Sequence, residues 1–99
     1  MLTLAAGKSV QILEPYKLGR MVEVIVVSDE PTDYVRVAGV KRDLDESIST
    51  GIPIVAGSSR EMFVSANHEL FAVSDGTPTI AVVTLQSVLA DIGGAVIVI

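Results

Sequence analysis

Apolar and polar positions alternate in short runs along this chain, and few apolar runs are long enough for a helix. The clearest run is Arg20 to Val27, where Met21, Val22, Val24, Ile25, Val26 and Val27 leave only Glu23 charged inside it. A strand apolar on nearly every position is covered on both faces, or covered on one of them by a partner chain. Tyr34 to Val40 alternates instead, with Val35 and Val37 on one face and Tyr34, Arg36 and Ala38 on the other. That period of two marks a half-buried strand. Shorter runs at 1–6, 10–13, 52–56, 61–65, 70–73, 80–83 and 95–99 read as further strands. Pro53 lacks an N–H for the ladder and places its run at an edge or a strand start.

The turns between these runs have their own chemistry. Glu69 to Val83 reads as a β-hairpin around Ser74-Asp75-Gly76-Thr77-Pro78-Thr79, because Asp-Gly suits a tight turn and Pro78 cannot sit inside a ladder. Arg60 to Val73 reads as a second hairpin, turning at Ala66-Asn67-His68. Lys41 to Thr50 is the most polar stretch, a long loop or one short helical turn. In Thr84 to Asp91 and just beyond, Leu85, Val88, Leu89 and Ile92 recur at helical spacing ahead of Gly93. A short helix near 84–91 and a further strand with a bulge both stay open. Seven to nine short strands at this spacing predict an all-β chain, a small β-sandwich or β-barrel, as a single domain over 1–99.

Composition sharpens the picture. Hydrophobic residues make up 49% of the chain but aromatics only 4%, so the core is aliphatic. Sixteen Val and nine Ile favour strands, since branching at Cβ suits a pleated surface. The net charge of -5, with seven basic residues spread from Lys8 to Arg60, argues against nucleic acid. Without cysteine there is no disulfide, thiolate zinc site or cysteine nucleophile. The opening Met-Leu-Thr-Leu-Ala-Ala lacks the basic region of a signal peptide. The longest uncharged run, Gly76 to Ala90, is too short for a membrane span.

Candidate chemistry is sparse. Gly7-Lys8-Ser9 matches the end of a phosphate-binding loop, but the glycine needed five residues earlier is Leu2. It reads as a turn between strands. His68 is the only histidine, and its neighbours Ser65 and Glu69 do not make a relay from sequence alone. Asp43, Asp45 and Glu46, with Asp33, lack calcium-loop spacing and have Lys41 and Arg42 beside them. Lys17, Arg20, Lys41 and Arg42 form a small basic patch if their loops share one end. No catalytic, cofactor-binding or metal-binding residue is assigned, and no cofactor is expected. The candidate partner contacts are the apolar ends, Met1, Leu2, Leu4, Val96, Val98 and Ile99, and the charged loop positions Asp29, Asp33, Lys41, Arg42 and Asp75. Apolar ends of this kind need cover, from each other, from internal strands or from another subunit.

Glu69-Leu70-Phe71-Ala72-Val73-Ser74-Asp75-Gly76-Thr77-Pro78 and the closing Gly93-Gly94-Ala95-Val96-Ile97-Val98-Ile99 resemble the small β-rich virion proteins of tailed bacteriophages. These are the capsid decoration (cement) proteins and the base domains of head fibres. The resemblance implies a structural protein that is not an enzyme. It implies a homo-oligomer, trimer favoured, bound to a capsid or other virion protein, with no nucleic acid or membrane partner. It implies a place in the virion after assembly in the host cytoplasm. The chain departs from one common pattern by lacking a long Gly-, Ala- and Thr-rich N-terminal arm. The alternative is a small β-barrel binding module that presents loops to a peptide or small ligand. A small β-fold enzyme is a third class, disfavoured by one His and no Cys.

Overall fold

The computed structural model describes residues 1–46, 50–88 and 96–97. Nine strands and one helix follow in order: β1 Leu2–Thr3, β2 Val10–Leu13, β3 Gly19–Val27, β4 Tyr34–Ala38, α1 Lys41–Glu46, β5 Ile52–Val55, β6 Ser59–Val64, β7 Leu70–Val73, β8 Thr79–Val88 and β9 Val96–Ile97. They build two packed antiparallel sheets, a small β-sandwich. One sheet has the order β1-β8-β3-β6, with β9 also on β8, and the other has the order β2-β7-β4-β5.

The strand with the most continuous apolar pattern is the spine. β3 pairs with β8 from Gly19↔Val88 to Val27↔Thr79, and with β6 on its other side. Val22, Val24 and Val26 point inward and are fully buried, facing Val35 and Val37 of β4 across the sandwich. Leu4, Ile54, Val64, Leu70, Ala72 and Ile80 complete the core. Each buried valine contributes on the order of 1.5–3 kcal/mol relative to exposure.

Most connections cross between the sheets, and this corrects two expectations. β7 belongs to one sheet and β8 to the other, so Ser74 to Pro78 is an arch and not a hairpin turn. β6 and β7 are likewise in different sheets, so Arg60 to Val73 is not a hairpin either. Asp-Gly and Asn-His turns reverse a chain equally well in both settings. What decides is where the flanking apolar faces pack. In the arch, Ser74 and Pro78 are buried, and their carbonyls accept from Gly7 N–H at 2.7 Å and Leu4 N–H at 2.9 Å. Those bonds tie the arch to the segment after β1 in place of a partner within a hairpin.

A third expectation also changes. Thr79 to Val88 is one ten-residue strand, so 84–88 is not helical, and 89–91 lie outside the described residues. A bulge at Leu85, where Met21 opposes Gln86 and Val22 opposes Thr84, interrupts the strand's alternation there. The helix forms instead at Lys41–Glu46. It lies against β4 and β7, on the outer side of their sheet. Leu44 is buried there, and Gly51, with φ 102°, leaves it room: a Cβ at Gly51 would sit 2.9 Å from Leu44 Cδ2. Arg36, outward on β4, donates from Nη1 to the Thr50 carbonyl at 3.0 Å and from Nη2 to the Leu44 carbonyl at 3.3 Å. That satisfies a carbonyl at the C-terminal end of α1.

The terminal segments both pair with β8, β1 at Ile80 and Thr79 and β9 at Val88 and Ser87. The internal strand β8 therefore holds the described part of each through its backbone. Leu4 is buried, but Leu2 is exposed and Met1 is 87% exposed, because β1 pairs over only two residues at the sheet edge. Among the described residues no helix is long and apolar enough to cross a membrane.

At the other end of the sandwich, Arg20 is only 7% exposed. It donates from Nη2 to the carbonyls of Glu14 at 2.7 Å and His68 at 3.2 Å, and its guanidinium lies 5.5 Å from the centre of the Tyr16 ring. Its Nε has no hydrogen-bond partner among the described residues. Arg20 thus clamps the β2–β3 and β6–β7 connections together. It is not available to a surface basic patch with Lys17, Lys41 and Arg42. Asn67, with φ 64°, completes the clamp by donating its N–H to the Tyr16 carbonyl at 2.6 Å.

Val24→Ala removes two buried methyl groups at the centre of the spine. It is expected to lower unfolding free energy by about 2 kcal/mol. Val55→Ala, outward on β5 and exposed, is expected to change it by less than about 0.5 kcal/mol. Urea unfolding of both variants measures the contrast, and equal losses would contradict the assigned faces.

Candidate functional site

Two surfaces stand out from the scaffold. The first is the end where β3 finishes and β8 begins. Asp33 is its hub. Ser28 Oγ donates to Asp33 Oδ2 at 2.7 Å, and the Asp33 carbonyl accepts from Ala56 N–H at 2.9 Å. Ser74 Oγ donates to the Tyr34 carbonyl at 2.7 Å and accepts from Gly76 N–H at 3.2 Å. Gly76 lies flat against the Asp33 carboxylate, where any Cβ would overlap it. Three connections are thereby locked to one carboxylate residue.

Asp33 also separates two open depressions. One, of about 270 Å³, is lined by Thr32, Asp33, Tyr34, Ser74, Asp75 and Gly76. The other, of about 240 Å³, is lined by Val27, Ser28, Asp29, Glu30, Asp33, Thr77 and Thr79. Small-molecule sites are usually larger than about 300 Å³ and mostly apolar. These depressions are smaller and polar, the character of a contact rim.

The second surface is the outer face of β6-β3-β8. Antiparallel register places Phe63 beside Met21, Glu61 beside Glu23 beside Val83, and Ser59 beside Ile25 beside Ala81. Val27 and Phe63 are each 50% exposed, and Val83 and Leu85 are exposed as well. The centre of this apolar face holds two carboxylates directly opposite each other, an arrangement that is intrinsically repulsive. Glu23 Oε2 accepts from Ser59 Oγ at 3.2 Å, and neither glutamate makes an ion pair among the described residues. No described element covers this face, whereas α1 lies over part of the other sheet, against β4 and β7.

The positions predicted from sequence fall in separate places. Asp29, Asp33 and Asp75 do share one end of the sandwich. Lys41 and Arg42 lie in the first turn of α1. Met1, Leu2 and Leu4 follow one stretch of the β8 edge, beside a depression of about 260 Å³ lined by Met1, Leu2, Gln11, Ile12, Ile80 and Val82. The Val96 backbone pairs farther along that same edge. Val98 and Ile99 lie outside the described residues. The outer-face residues Met21, Glu23, Ile25, Glu61 and Phe63 are absent from that set. The signal for them was the unbroken apolar run of β3, which demands cover on its second face.

The remaining motifs resolve simply. Gly7, with φ 74°, makes a turn between β1 and β2, and no helix follows it. His68 Nδ1 donates to the Ala66 carbonyl at 2.9 Å, and Glu69 accepts from Gln11 at 2.8 Å. Asp45 accepts from Lys41 at 2.8 Å and from the Ser9 hydroxyl. Among the described residues no group of three or more His, Cys, Asp or Glu is placed to hold a metal. Comparison with protein-family models, with curated proteins and with solved structures found no match.

The hydrogen bonds from Lys41 and Ser9, with the charge of Lys41, hold the Asp45 carboxyl below the usual aspartate range. The ionised carboxylate therefore favours the folded state. That contribution is present above the unfolded-state pKa and is lost as pH falls through the lowered value. Carboxyl-carbon NMR titration is expected to show Asp45 titrating low, and Lys41→Ala is expected to move it upward. At the hub, Gly76→Ala is expected to cost about 1–3 kcal/mol by overpacking. It should also shift the NMR signals of Ser28 and Asp33, and an unchanged spectrum would contradict the contact.

Proposed function

We propose that this chain is a structural, non-enzymatic assembly protein, a virion component of the capsid-decoration kind that its sequence resembles. It acts by binding across junctions between neighbouring subunits. Each contact adds free energy that must be lost before the assembly comes apart. In the capsid setting this raises the barrier to rupture of a shell under internal pressure. The favoured form is a homotrimer seated on a capsid or other virion protein.

One observation carries this reading. The sandwich lays its own helix over part of one outer sheet face, against β4 and β7, and leaves the other face, bearing Met21, Ile25, Val27, Phe63 and Val83, without a described covering element. Exposed apolar faces of this kind mark interaction surfaces. The rigid sheet beneath limits the ordering cost of binding.

A second reading rests on a different observation. Two polar depressions share Asp33 at one loop end, which suits a small binding module that presents loops to a peptide or small ligand.

Light scattering behind a sizing column, over a dilution series, separates the two. A trimer or larger ring that persists on dilution is the expected result. A monomer at every concentration would overturn the assembly reading and leave the loop-end module in its place.

A further inference from the structure

We propose that the outer face of β6-β3-β8 receives the Val40–Lys41–Arg42 corner of a second copy of this chain, in a head-to-tail contact. The inference rests on the assembly reading above and names the two surfaces that meet.

The receiving face asks for a particular partner. Glu23 and Glu61 sit side by side among Met21, Ile25, Phe63 and Val83, without an ion pair among the described residues. Covering them with an apolar surface would bury two like charges without compensation. Covering them with a cation flanked by an apolar side chain relieves their mutual repulsion and buries the surround. A two-fold, face-to-face dimer centred on the pair is disfavoured, because it sets the glutamates of one copy against the same glutamates of the other.

The chain carries the complementary surface elsewhere. Val40 is 48% exposed and is followed by Lys41 and Arg42, both on the outside. Lys41 is engaged with Asp45 at 2.8 Å, while Arg42 makes no ion pair among the described residues. The corner is held in shape before any contact. β4 pairs with β7 up to Ala38↔Phe71, and α1 is fixed by buried Leu44 and by the Arg36 bond to the Leu44 carbonyl. Among the other arginines, Arg20 is buried, Arg36 bonds the Thr50 and Leu44 carbonyls, and Arg60 adjoins Glu61 on the receiving strand itself. Because donor and acceptor surfaces differ, the contact is heterologous and closes into a ring where the rotation permits, as a trimer requires.

Charge reversal tests the pairing with the chain alone. Glu61→Arg and Arg42→Glu are each expected to raise the concentration at which the oligomer dissociates by about tenfold or more. The double variant, with both charges reversed, is expected to return it to within a few-fold of the original. Glu61→Gln and Arg42→Gln provide a milder pair, and unfolding midpoints check that each variant is folded. An oligomer indifferent to both reversals, or one not rescued by the double variant, overturns this contact and leaves the assembly reading standing. An unmodified chain that is monomeric throughout overturns both.

Discussion

The structure depends on β3 being a strand with two demands. Its inward side chains, Val22, Val24 and Val26, have no exposure and form the middle of the core. Its backbone is paired on both sides, to β8 and to β6. Burial and hydrogen bonding therefore fix the same register. A slip of one residue would turn Glu23 inward and the valines outward. Everything else in the sandwich is placed against that strand.

A core built from valine and isoleucine is thin, and the chain compensates at its ends. Nearly every connection crosses between sheets, so strand pairing alone does not hold the connections in place. Polar tethers do that work. Asp33 gathers three connections at one end, and Arg20 draws two together at the other. Arg20 is a buried cation held through Nη2 by two carbonyl oxygens and set near an aromatic ring. Its position is plausible only because those acceptors converge on it, since an uncompensated buried charge is costly.

The two outer faces are treated differently. On one sheet, Arg36 and Leu44 bring a single short helix down over β4 and β7. On the other, the pattern of β3 continues outward as Met21, Ile25 and Val27, with Glu23 interrupting it. The interruption carries information, because opposed carboxylates on an apolar sheet cost stability where they stand. Their cost is recovered when a cation approaches. In the assembly we propose, this face selects a partner surface that brings positive charge.

Much of this was legible in the residues. β-Branched content and short alternating runs determined an all-β chain of about this many strands, with sandwich and barrel both open, and the near-continuous apolar run at 20–27 marked the clearest strand. The same run announced a second face in need of cover. Pro53 pointed to an edge strand or a strand start, because it lacks an N–H for the ladder, and β5 is indeed the edge of its sheet. Tertiary structure alone decided the pairing. Asp75-Gly76 turns a hairpin and an inter-sheet arch with equal ease, and only Leu4, Gly7 and Asp33, distant in the chain, select the arch. Leu85 and Val88 carry helical spacing that a bulge against Met21 and Val22 absorbs into a strand. Lys41 to Glu46 becomes helical because Arg36 and Leu44 reward it from the sheet below. Glu23 faces Glu61 through strand register, a relation between residues far apart in sequence that no local pattern expresses.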